Sequence, residues 1–419
     1  MGTGHSHVHG STAPVRASRA SRLIIVLIAL ALLAGTLVGL IRLWPHSSDV
    51  PRSALLAPGA ELLDATVTDV PDTTDPSTSS TVTVVGRSAA IHDESIQVEV
   101  TPDVMASLHE GDRIRVLSIQ DAAAAIGDDE EGDNVSASPQ EPAAPIYTYF
   151  DHQRTIPLAL LFLAYLVVVA VVARGNGLRA VVGLAVGVAI VVWFLLPAIL
   201  AGEDPVLVAL VAAGAMIFPS VYIAHGVSIR TTTALIGTFG GVAVTVLIAL
   251  VSSRPAGMTG SDEETAQMLF GADPGISLAA VFLTGVIISG LGAFNDVTIT
   301  QASSVWELRA AMPDGSRWEV FASAMRIGRD HIASTVYTLA YAYIGSALPV
   351  LLLASTIDRS LLDTLASGEI AAEVFRTLVA SIGLVLAIPL TTAVAALLAS
   401  TPSRRREARV GIEERLARY

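Results

Sequence analysis

The sequence predicts an all-α polytopic membrane protein with about eight transmembrane helices and a small β-rich extracytoplasmic module. Three observations carry that expectation. Of 419 residues, 52% are hydrophobic and only 15% charged, which is more apolar surface than one water-soluble core can hide. Eight windows approach the roughly 20 apolar residues that a helix needs to cross the hydrocarbon layer. Period-2 alternation falls between the first two of them.

Composition also excludes chemistry. With 38 Asp+Glu against 25 Arg the net charge is −13, so a nucleic-acid partner is not expected. Zero Cys removes disulfides, thiolate metal sites, Fe–S clusters and cysteine nucleophiles. There is no Lys, hence no Schiff-base lysine. No G-x-S-x-G, H-E-x-x-H or P-loop pattern occurs, so neither an enzyme nor a cofactor is expected.

Residues 1–22 read as a cytoplasmic tail. Its His5, His7 and His9, in GHSHVHG, can chelate Zn²⁺ or Ni²⁺ in a flexible segment, but without Cys or a nearby carboxylate the ligand set is incomplete. Window 23–41 follows Arg16, Arg19 and Arg22 and reads as a signal-anchor helix. A cleavable signal peptide is the competing reading, opposed by 19 apolar residues and by the lack of an A-x-A-like site in LIRLWPHSSDV.

Residues 44–120 form the expected extracytoplasmic β-rich module. Alternation appears in STVTVVG (80–86), at Ile96, Val98 and Val100, and at Ile114 and Val116 after Gly111-Asp112. Such a module suits an extracytoplasmic protein partner. Residues 121–154 read as an acidic disordered tether, because 121–145 are poor in aromatics and β-branched residues and rich in Ala, Pro, Ser and acid. Its DDEEGD run (128–133) lacks the rigidity of a cation site. Together 44–154 hold 20 acidic residues and five Arg.

Windows 156–173, 180–201, 206–224, 234–251, 276–294, 332–355 and 377–399 make a seven-helix membrane domain over 156–399, before a basic cytoplasmic tail at 400–419. Pro197, Pro219, Pro349 and Pro389 are tolerated where neighbours re-satisfy the freed backbone groups. With the N-terminus inside, 16 of 25 Arg are cytoplasmic. RGNGLR (174–179) and HGVSIR (225–230) then lie inside, AGEDP (201–205) outside, and both termini are cytoplasmic.

Polar residues inside spans are costly, so those that persist are functional candidates. Asn295 and Asp296 close the sixth window, followed by Thr298 and Gln301. Arg326, Arg329 and His331 are charges at the cytoplasmic mouth of the seventh. Asp330, Ser334 and Thr338 follow at i, i+4 on one helix face, with Tyr337 nearby, a face suited to a solute or ion path. The same residues also read as structure: Asp330 in a salt network with Arg326 and Arg329, Asp296 as a helix cap, Ser and Thr bonding their own helix. Residues 297–329, with Trp306, Trp318 and Phe321 between charges, read as a cytoplasmic amphipathic hairpin.

The succession GLRAVVGLAVGVAIVVWFLLPAILAG, TALIGTFGGV, SGLGAFNDVTITQASSVWEL and IGRDHIASTVYTLAYAYIGSALPVLLL resembles the YibE/F-like family of bacterial multispanning membrane proteins over nearly all of residues 60–400. The last two motifs are long and specific. The resemblance implies a prokaryotic plasma-membrane location and a permease-like architecture, but no substrate. Three functions follow as alternatives. The first is a permease for a small solute or ion, with Asn295, Asp296 and Asp330 lining a path between the sixth and seventh spans. The second is a non-transporting scaffold or sensor whose outer module binds a partner. The third, an intramembrane di-aspartyl enzyme, is opposed by the absence of a Gly-Asp dipeptide in SGLGAFND. The bilayer is the expected partner, and oligomeric state is open.

Overall fold

In the computed structural model, which describes residues 18–46, 60–71, 80–119, 145–262, 264–358 and 360–399, the alternating residues after the first helix, α1 (Arg19–Arg42), close into a five-stranded barrel. Its elements are β1 (Ala60–Asp69), β2 (Ser80–Gly86), β3 (Ser95–Val100), the short helix α2 (Pro102–Met105), β4 (Arg113–Ile119) and β5 (Ile146–His152). The strand order is β1-β2-β3-β5-β4, with β4 pairing back onto β1 and β3 running parallel to β5. That order matches the Greek-key barrel of the OB type.

Period 2 fills the barrel. Ala65, Val67, Val82, Val84, Val98, Ile114 and Val116 point inward and are buried, the Val and Ile side chains each stabilising the barrel by up to roughly 1.5–3 kcal/mol. Gly86 is required because a Cβ there would strike the backbone carbonyl of Ile91. Residues 146–152, expected within the tether, instead form β5, because Tyr147 and Tyr149 pack against the barrel core and the strand pairs along β4. Tyr149 Oη lies 2.5 Å from His152 Nδ1, and Arg154 donates to Asp151 at 2.5 Å. Burial, reinforced by Asp151, pushes the Tyr149 phenol up, while the Arg154 hydrogen bond holds the Asp151 carboxyl below its ordinary range.

The chain divides into two compact units, Arg52–Val171 with the barrel, and Met1–Pro51 with Val172–Tyr419. Helices continue as α3 (Thr155–Ile190), a π-turn at Val191–Leu195, α4 (Leu196–Leu200), α5 (Pro205–His225), α6 (Ile229–Ser253), α7 (Glu264–Ala272), α8 (Leu278–Ser289), α9 (Leu291–Ala311), α10 (Arg317–Ser346), α11 (Leu348–Ser355), α12 (Leu361–Leu365) and α13 (Gly368–Leu398). Among the described residues six helical stretches are long and apolar enough to cross a membrane: Arg19–Arg42, Thr155–Leu200, Pro205–His225, Ile229–Ser253, Leu278–Ala311 and Gly368–Leu398. Counting α10 with α11, bent by 64°, gives seven. Windows 156–173 and 180–201 share one 46-residue run. Only Arg174, at φ 51° and ψ −138°, departs from helical geometry between them.

The helical unit is built from small residues. A Cβ on Gly237 would meet the Thr391 side chain, one on Gly383 the hydroxyl of Thr245, and one on Gly241 both Ala387 and Phe294. Helices α6 and α13 therefore approach closely, as helices do in lipid, where small side chains rather than large ones make the contact. Large apolar residues such as Val172 (77% exposed) and Trp193 (68%) face outward. Residues 297–329 are the greater part of α9, the turn at 312–316 and the start of α10. Val305, Val320 and Ala324 bury against Ala395 and Ala396 of α13, and Arg309 Nη1 donates to the Gly315 carbonyl at 2.6 Å across the turn.

Candidate functional site

One face of α13 organises the polar interior. Glu369, Glu373, Arg376, Ala380, Gly383, Ala387 and Thr391 recur at three- and four-residue spacing and so lie on one stripe. Near the start of the helix Arg376 Nη1 donates to Glu373 Oε1, and the guanidinium sits 5.4 Å from the Phe282 ring centroid. The two side chains are only 18% and 23% exposed. Charges in an apolar span are expensive unless paired or facing a cavity.

Here both conditions hold. A cavity of about 360 Å³ opens beside the pair, lined among others by Ser346, Ala347, Glu369, Glu373 and Arg376. Ser346 and Ala347 are the bend between α10 and α11. Pro349 explains the bend, because it lacks the N–H that would bond the Gly345 carbonyl. The break between α10 and α11 thus brings polar backbone next to a charged pair.

Deeper in the bundle lies a hydrogen-bonded seam. Asn295 Nδ2 donates to Ser220 Oγ at 2.8 Å. Thr298 and Thr238 share a hydroxyl bond of 2.7 Å. Gln301 Nε2 donates to the Ala324 carbonyl at 2.9 Å and to Thr392 Oγ1 at 2.8 Å. Thr238, Thr298, Gln301 and Thr392 are buried, and Asn295 Oδ1 has no partner among the described residues. Buried polar atoms are rarely left so.

The sequence-derived candidates divide into two sets. Asn295, Thr298 and Gln301 belong to the seam. They lie well inside the bundle rather than at the end of a span, because Val297, Ile299, Ala302 and Val305 carry the apolar period on to Ala311, and Phe294 packs on Gly241 halfway along α6. Asp296 is exposed on the other side of α9, within electrostatic reach of His225. Asp330, Ser334, Tyr337 and Thr338 are also exposed. Gly328 faces Gln301, and Asp330, two residues on, is turned about 200° away from it. Thr338 donates to the Ser334 carbonyl at 3.0 Å and Tyr337 stacks on Tyr341, both within α10.

Arg326 donates to Ser323 at 2.9 Å, Arg329 is exposed, and His331 is half-buried. Among the described residues no ion pair joins Asp330 to Arg326 or Arg329, so the expected salt network does not form. A shared path lined by Asn295, Asp296 and Asp330 does not form either, since helical phase sends Asp330 outward. His5, His7, His9 and the 128–133 run lie outside the described residues. Among the described residues no three His, Asp or Glu converge as metal ligands.

Sequence reading missed Glu369, Glu373 and Arg376, because an apolar window begins only at residue 377. The available signal was their phase, which continues that of Ala380, Gly383 and Ala387. Ser220, Thr238 and Thr392 gave no such signal.

Apolar helices packed through glycine and threonine, with charge and hydroxyls kept inside, define a polytopic α-helical membrane protein. More particularly, the chain belongs to the YibE/F-like protein family, whose model matches residues 161–401. That range holds most of α3 and all of the bundle that follows, and leaves the barrel out. No curated protein and no solved structure matches the chain.

Proposed function

We propose that the protein is a permease for a small solute or ion in a prokaryotic plasma membrane. The observation that carries this reading is the span broken at Ala347, whose bend opens on a cavity holding the Glu373–Arg376 pair. Transport sites in membrane bundles commonly sit where helices are discontinuous and their backbone groups turn toward the cargo. In this reading Glu369, Glu373 and Arg376 receive the cargo, and the Ser220–Asn295 and Thr238–Thr298 contacts continue the route along α9. The chain crosses eight times, with Arg174 dividing α3 into two spans, both termini cytoplasmic and the barrel outside. The arginines of RGNGLR and HGVSIR support that orientation.

Full-length protein in proteoliposomes tests this. Proton, Na⁺ and K⁺ fluxes are followed with ion-sensitive dyes, and small amino acids and carboxylates by isotope uptake. Glu373→Gln and Arg376→Gln should each cut the observed flux at least tenfold while the protein still elutes as a folded species. Unchanged flux in both would reject the reading. The barrel favours a second reading, a scaffold or sensor that binds an extracytoplasmic protein, because it lies outside the family match. Deleting 60–120 would then abolish function while both charge variants stay active.

A further inference from the structure

At the opposite end of the bundle from the Glu373–Arg376 cavity, three distant segments meet. The first turn of α1, the turn before α6 and the last turns of α9 enclose a cavity of about 410 Å³, lined among others by Arg22, Ser228, Ile229, Arg230, Trp306 and Glu307. Glu307 shares the wall, yet no carboxylate among the described residues forms an ion pair with either guanidinium. The lining therefore carries two guanidinia, Arg22 exposed and Arg230 half-buried, and one carboxylate, a net positive charge with no ion pair among the described residues.

Its chemistry is that of an oxyanion receptor. Ser228 caps the 25-residue helix α6, its hydroxyl accepting from Thr231 N at 3.1 Å while its own N–H donates to Thr231 Oγ1 at 2.8 Å. That box leaves the N–H groups of Ile229 and Arg230, the first two of the helix, without an acceptor among the described residues. The helix end alone defines no ligand, but two guanidinia beside it supply forked donors of the kind that bind phosphate.

Position narrows the source. Arg22 immediately precedes the apolar run that begins at Leu23, so in a bilayer the cavity stands where hydrocarbon gives way to headgroups. Trp306 in the wall is the residue type that anchors proteins at that level. We propose that this cavity binds the phosphate group of an anionic phospholipid, with Arg22 and Arg230 as its ligands. Basic pockets between spans recognise headgroups in this way. The inference does not depend on transport.

The test uses the full-length chain in detergent, titrated with phosphatidylglycerol, with phosphatidylcholine and with inorganic phosphate, binding being read by native mass spectrometry and thermal shift. Phosphatidylglycerol should bind and raise the melting temperature, and phosphatidylcholine should do so far less. Arg22→Gln and Arg230→Gln should each weaken binding about fivefold, whereas Arg326→Gln, an exposed arginine that does not line the cavity, should change it less than twofold. Arg22→Lys with Arg230→Lys keeps the charge and should give an intermediate loss, covering the case in which the Gln variants do not fold. Competition by inorganic phosphate would show that the phosphate group suffices. Binding of the lipid alone would show that the headgroup and its chains are needed. Equal binding by the double Gln variant, or an equal loss in Arg326→Gln, would overturn the proposal.

Discussion

In the barrel the wholly buried positions are Val82, Val84, Val98, Ile114 and Val116, while Thr81, Gln97 and Glu99 face outward. In the bundle the wholly buried positions include Ala212, Thr233, Thr238 and Thr298, while Val172, Trp193 and Leu247 face outward. The first distribution drives folding by withdrawing apolar area from water. The second withdraws hydroxyls and small residues from hydrocarbon, and its cohesion comes from close approach and hydrogen bonds. The barrel interior is thus wholly apolar at these positions, whereas the bundle buries threonines among large apolar side chains such as Ile217, Leu235, Phe294 and Leu384.

That contrast can be broken by substitution. The largest expected effect is Arg376→Ala, which removes the guanidinium from Glu373 inside the bundle and should destabilise it by about 3 kcal/mol. Unfolding of the full chain in mixed micelles would register this, with amide exchange in β1–β5 unchanged. Next, Gly383→Val should wedge α13 away from Thr245 at a cost of about 1–3 kcal/mol. A variant that unfolds like the parent would disprove the close approach.

A matched pair sharpens the comparison further. Val98→Ala should cost the barrel about 2 kcal/mol through lost burial and the cavity left behind, whereas Val172→Ala, on an outward face, should stay within about 0.5 kcal/mol. A loss at Val172 as large as that at Val98 would mean that Val172 does not face outward.

The smallest effect concerns acid. Asp151 has a depressed folded-state pKa, so its contribution is complete above the ordinary carboxylate range and fades as pH falls through the depressed value. Asp151→Asn should flatten the acid-side loss of amide protection in β5, as hydrogen exchange between about pH 5 and 2.5 would measure.

Legibility in the sequence followed the same divide. Long apolar windows and the alternation at 80–86 and 96–100 announced helices and strands, because each depends on a local period. β5 carried a local signal, the strand formers Ile146, Tyr147, Thr148, Tyr149 and Phe150 after Pro145, but it reads together with the acidic stretch before it, and its partner β4 lies across that stretch. The seam was half visible: Asn295, Thr298 and Gln301 stand out as polar residues in a span, but their partners Ser220, Thr238 and Thr392 are ordinary span residues until tertiary packing selects them. Asp330 shows the reverse case. A charge at a span mouth attracts attention, and only helical phase relative to Gly328 reveals which way it turns.

The connection after β5 has a mechanical meaning. Only Gln153 and Arg154 separate His152 from the first residue of α3, and Gln153 N is itself pinned to the Arg113 carbonyl at 2.8 Å. Seventeen residues, by contrast, separate Arg42 from Ala60. The barrel is therefore joined to α3 without slack. The taut hitch grips β5, the strand that bridges β3 and β4 and so fastens the ring. Any axial pull along α3 reaches the clasp of the barrel before it reaches any other strand.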